Sequence, residues 1–148
     1  MHTRVRNRDW IAVCDGRKAI ILENEGDAEY PTFAVREVME HASLANRDLD
    51  SDKPGRVWES ATTARSAIEP VDHHDLDEQA FLSEVSDRLD ALLAANQLQH
   101  LIMVAPPRAL GVLRKLYSPA LRGAIRAEVD QDLVKVPVGE LEDKFAFR

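Results

Sequence analysis

The chain has 148 residues, 45% hydrophobic and 30% charged, with a formal net charge of -7. That length suits one domain with a real buried core, and the composition excludes a disordered chain. The acidic balance argues against a strongly basic nucleic-acid binder, although it leaves room for a local basic patch.

The opening "MHTRVRNRDW" is basic, but the apolar stretch after it is too short for a secretory leader. No segment approaches the ~20 apolar residues of a membrane span, so a cytoplasmic location is expected. "WIAVCDGRKAIILENE" then reads as a hairpin: a strand over Trp10 to Cys14, a turn at Asp15-Gly16, and a returning strand from Ala19 to Glu23. The lone Cys14 reads as a buried core thiol, because its neighbours are apolar and no basic group favours the thiolate. "PTFAVREVME" alternates through Phe33 and Val35 and predicts a third strand.

From 41 to 74 no periodicity is evident. "DLDEQAFLSEVSDRLDALLAAN" then predicts a helix, with Phe81, Val85, Leu89 and Leu92 gathered on one face. Asp75 and Glu78 have the spacing of a capping box at its start. "HLIMVAPP" is a short continuous apolar run, as expected of a strand covered on both faces. Pro106 and Pro107 open a helix through Tyr117, with Leu110 and Leu113 inward. "AIRAEVD" predicts an outer strand, and a short helix from Pro137 to Phe145 closes the chain with Leu141 and Phe145.

A three-strand meander followed by two crossover units is the order of a ribonuclease H-like fold. That fold is α/β, a single domain with a mixed five-stranded sheet and helices on both faces. In it the first, third, fourth and fifth strands end at one edge, where open α/β sheets bind ligands. Asp15, Arg108 and Asp130 belong to that edge, and the 41–74 segment leaves from it.

Loops beyond ~12–15 residues are uncommon in compact domains and tend to be functional or disordered. Val57, Trp58 and Ile68 give this one apolar anchors. Along it Arg47, Lys53, Arg56 and Arg65 alternate with Asp48, Asp50, Asp52, Glu59 and Glu69. Such alternation serves either internal salt bridging or recognition of phosphate and carboxylate groups by arginine forks.

The blocks "DLDSDKPGRVWES", "ARSAIEPVDHHDLDEQAF", "LIMVAPPRALGVLRKLY" and "EVDQDLVKV" resemble the bacterial family of proteins required for attachment to host cells. The opening hairpin matches that family too, so the resemblance runs from about Trp10 to Phe145. It implies relationship to the middle domain of archaeal and eukaryotic peptide-chain release factors, hence a ribonuclease H-like core and translation-related ancestry. It implies no established catalysis. Two departures stand out: Ser66 follows Arg65 where the family commonly has His, and the release factors' Gly-Gly-Gln tip is missing.

Ribonuclease H-type cleavage needs several carboxylates around two metal ions. Asp15, Asp130 and Asp132 are the candidates, but the fourth strand ends in Ala105-Pro106-Pro107 and offers none. Asp15 serves equally well as the first residue of a tight turn. His73-His74-Asp75 reads as a loop leading into the helix, since adjacent side chains diverge and no further His has ligand spacing. Gly-rich phosphate loops and nucleophile elbows are missing, and the prolines before Arg108 remove backbone donors an anion would use. The reading is therefore a non-catalytic binding module with an RNA or ribosome partner and no cofactor or metal. Its binding residues are Arg47, Asp50, Asp52, Lys53, Arg56, Arg65, Glu69 and Arg108. A metal-dependent hydrolase using Asp15, Asp130 and Asp132 is the alternative.

Overall fold

The computed structural model describes residues 3–41 and 69–147, with side chains from residue 76 onward in the second stretch. Arg47, Asp50, Asp52, Lys53, Arg56 and Arg65 lie outside the described residues, and Glu69 is described in its backbone alone.

The strands are β1 (Trp10–Cys14), β2 (Lys18–Asn24), β3 (Phe33–Glu40), β4 (Leu101–Val104) and β5 (Ile125–Val129). They form one mixed sheet in the order β3-β2-β1-β4-β5. β1 pairs antiparallel with β2 and parallel with β4; β2 pairs antiparallel with β3, and β4 parallel with β5. Hence β1, β3, β4 and β5 all end at one edge, as the element order predicts.

The apolar runs follow from position in this order. β1 and β4 have neighbours on both sides, and every one of their residues is buried. Trp10, Ala12, Cys14, Leu101 and Met103 face one core; Ile11, Val13, Ile102 and Val104 face the other. The first core is closed by α1 (Glu69–Ala94), α2 (Pro107–Leu116) and α3 (Pro119–Ala124). Phe81, Val85, Leu89 and Leu92 of α1 pack there, joined by Leu82. The second core is closed by α4 (Val138–Phe145), through Leu141 and Phe145, together with Val5, Leu133 and Val134. Helices thus cover both faces.

Two boundaries differ from the sequence reading. α1 begins at Glu69 rather than Asp75, so His73, His74 and Asp75 are helical and Asp75 is no cap. Pro70 allows this, because proline in a first helical turn lacks only an N–H that would have no helical partner. Between α2 and β5 lies α3, too short to show a period; its cap is Ser118, whose Oγ accepts from the Leu121 N–H at 3.0 Å and donates to Asp90 at 2.6 Å.

Candidate binding surface at the carboxyl edge

The turn between β1 and β2 is built by one side chain. Asp15 Oδ1 accepts the backbone N–H groups of Arg17 and Lys18, both at 2.8 Å. The sequence reading of Asp15 as a turn residue describes this arrangement. Directly beneath, Cys14 is fully buried, and burial with the neighbouring Asp15 charge pushes its thiol up to about 12. A thiol so held is inert as a nucleophile at neutral pH.

The third turn of α1 lies over the same β1–β2 turn. A Cβ placed on Gly16 would come within 2.8 Å of Glu78 Cδ, so the Glu78 side chain rests on the turn. Glu78 Oε1 also stands 3.9 Å from Arg108 Nε, at the first turn of α2. One carboxylate therefore connects the β1–β2 turn to two helices. At the end of β3, the His41 N–H donates to the Arg17 carbonyl at 2.8 Å. Its ring meets Phe81 edge-on at 6.0 Å, and Nε2 lies 4.0 Å from Asp77 Oδ2, with no hydrogen-bond partner among the described residues. His41 thus fixes the end of β3 at this edge.

Of the sequence-predicted residues, Arg108 stands at this edge. Asp130 follows β5 and is exposed; Asp132, also exposed, lies in the connection to α4. Among the described residues no three His, Cys, Asp or Glu side chains converge as a cation site. Asp15, Asp130 and Asp132 therefore do not form a three-carboxylate cluster. The sequence reading gave no site role to Asp77, Glu78 or His41. Glu78 was legible only as a cap, because its contacts to Gly16 and Arg108 span tens of residues.

These features define an α/β domain whose carboxyl edge is a surface of mixed charge, assembled from the β1–β2 turn, the third turn of α1 and the start of α2. The chain belongs to the family described as "Protein required for attachment to host cells", whose model matches residues 10–145. A search of the curated proteins finds no match. Among the described residues no helix is long and apolar enough to cross a membrane.

Proposed function

We propose that this protein is a non-catalytic binding module that engages an RNA or ribosomal partner through the 41–74 segment at the carboxyl edge. The observation that carries this reading is the use of Asp15. The carboxylate best placed for metal chemistry holds two backbone N–H groups of its own turn. The edge thereby becomes a fixed platform, and β3 ends there at His41, the residue after which the polar segment begins in the sequence. We read the sheet, with β2 alone reversed, as ribonuclease H-like, which supports the relationship to release-factor middle domains and the translation-linked partner. The buried, unpaired Cys14 fits a reducing cytoplasm. In that compartment the family's part in attachment to host cells is indirect.

The test is a pull-down from cell lysate, with and without nuclease, comparing wild type with Arg56→Ala/Arg65→Ala. Ribosomal or RNA partners retained by wild type and lost from the variant are expected. An early-melting variant and an empty wild-type capture would instead assign the 41–74 charges to internal salt bridges.

A further inference from the structure

The opposite edge of the sheet, roughly 15 Å away along strands of this length, holds a different constellation. Residues Arg6 to Asp9 form a tight turn before β1: the Asp9 N–H donates to the Arg6 carbonyl at 3.0 Å, and Asp9 Oδ2 accepts the Arg6 N–H at 2.9 Å. Asn24, fully buried at the end of β2, donates to the carbonyls of Val5 and Arg6 and clamps the turn from below. Arg8 adopts φ 73°, a left-handed conformation that few residues other than glycine, asparagine and aspartate occupy. Its N–H is held by the Asn24 carbonyl at 2.7 Å. The turn is thus rigid from its backbone outward.

Beside it lies a cavity of about 300 Å³, at the low end of ligand-pocket sizes. Arg6, Arg8 and Arg126 line it, with His100 and the amides of the α1–β4 connection, Asn96, Gln97 and Gln99. Two carboxylates share the lining, and both are engaged. Asp9, 2% exposed, holds the Arg6 N–H and stands 3.6 Å from Arg126; Glu23 pairs with Arg36 at 2.9 Å. Among the described residues, the guanidinium groups of Arg6 and Arg8 carry no ion pair and no side-chain hydrogen bond. Three arginines therefore line one small space in a chain of net charge -7; Asp9 partly balances Arg126, while Arg6 and Arg8 are left without an ion-pair partner among the described residues.

We propose that this cavity binds a phosphate group, gripped by Arg6, Arg8 and Arg126 with amide donors from the facing loop. A carboxylate offers two oxygens and one charge. A phosphate ester or diphosphate offers more of both, and its tetrahedral oxygens accept guanidinium forks from several sides. The cavity has room for the phosphate and little beyond a sugar. The rest of the bearer, whether the base of a nucleotide or the chain behind an RNA end, therefore stays outside it. This site is separate from the carboxyl-edge surface, and either reading can fail alone.

The test is titration of the isotope-labelled full chain, followed by backbone amide NMR. The probes are inorganic phosphate, pyrophosphate, ADP, and one short RNA carrying either a 5′-phosphate or a 5′-hydroxyl. Saturable shifts are expected at residues 6–9, 96–100 and 126, with millimolar or tighter binding. The variant Arg6→Gln/Arg8→Gly should weaken binding roughly tenfold or more, the loss of two charge-assisted contacts. It should still fold, because glycine occupies the left-handed conformation at position 8 without steric cost. Preference for the 5′-phosphorylated RNA over pyrophosphate and ADP would assign the phosphate to an RNA end; the reverse would assign it to a small molecule. No saturable shift by about 10 mM with any phosphate probe, binding unchanged in the variant, or shifts at these residues from the 5′-hydroxyl RNA equal to those from every phosphate probe would each overturn the site.

Discussion

The two edges of this sheet are held in opposite ways. At the carboxyl edge the turn is fixed by Asp15, whose partners lie two and three residues along the chain. The ion pair above it, Glu78 with Arg108, is exposed. At the amino edge the holding groups are buried, and they reach both local and distant partners. Asn24 Nδ2 reaches the carbonyls of Val5, Arg6 and Asp27, while its Oδ1 accepts the N–H groups of Gly26 and Thr32. One amide thus joins the N-terminal arm, the end of β2 and the β2–β3 turn. A surface fixed by local bonds can be altered piece by piece. A surface fixed by a buried amide stands or falls as a unit, because each bond it loses leaves an unpaired group without water.

The largest effect should therefore come from Asn24. Asn24→Ala removes the side chain and orphans carbonyls and N–H groups together, at a cost of about 3 to 5 kcal/mol. For a chain of this size that lowers Tm by roughly 10 °C. Asn24→Asp keeps the acceptor but turns the donor into a buried negative oxygen facing three carbonyls, so it should be at least as damaging. Thermal melts of both variants check this. Near-wild-type stability in either would show that the amino edge is not held from Asn24.

A second effect, of intermediate size, lies under the carboxyl edge and depends on pH. Folding pushes the Cys14 thiol up to about 12, from an ordinary value of 9.0. Below that ordinary value both folded and unfolded chains keep the proton, and stability does not respond to this group. Above it the unfolded chain ionises while the folded chain does not, so stability falls as pH rises toward 12. The slope reaches about 1.4 kcal/mol per pH unit. Tyr117, raised by burial and by Glu128, acts in the same direction at higher pH. Cys14→Ala should cost about 1 kcal/mol at neutral pH and then flatten the alkaline slope. Urea unfolding of both proteins at about pH 8 and about pH 10.5 measures the difference. Parallel slopes would mean that the thiol is reached by water in the folded state.

The same contrast explains what the sequence disclosed. β1 and β4 were legible because both faces of each are covered, which forces continuous apolar runs such as Leu101 to Val104. The inward face of α1 was legible from Phe81, Val85 and Leu89, whereas its start was hidden by Pro70, a residue that reads as a breaker until its place in the first turn is known. α3 is too short for any period to appear. Among candidate functional groups, the turn role of Asp15 could be read because its bonds are local. Asp9, Asn24 and Arg126 could not, since Asn24 clamps the N-terminal arm 18 and 19 residues away and Asp9 meets Arg126 only where β5 lies in the sheet. The basic start of the chain was the one visible sign of the amino-edge cluster. Its meaning depends on Arg126, which β5 brings alongside from the other end of the sequence.

The smallest effect is the most useful for separating binding from catalysis. If Asp15 works only as a turn residue, what matters is one acceptor oxygen facing two N–H groups. Asp15→Ala removes that acceptor and should cost about 1 kcal/mol. Asp15→Asn keeps an oxygen in the same place, so its cost should stay below about 0.5 kcal/mol. A metal site would rank the two differently, because an amide oxygen carries no charge and holds a divalent cation poorly. In a metal-dependent hydrolase the asparagine variant would lose turnover as completely as the alanine variant. Both should be assayed with Mg²⁺ or Mn²⁺ against RNA and phosphoester substrates, alongside thermal melts. The expected result is a stability ranking of wild type, Asp15→Asn, then Asp15→Ala, with no turnover that depends on the carboxylate. Turnover in wild type that Asp15→Asn abolishes, at unchanged stability, would move the carboxyl edge from a docking surface to an active site.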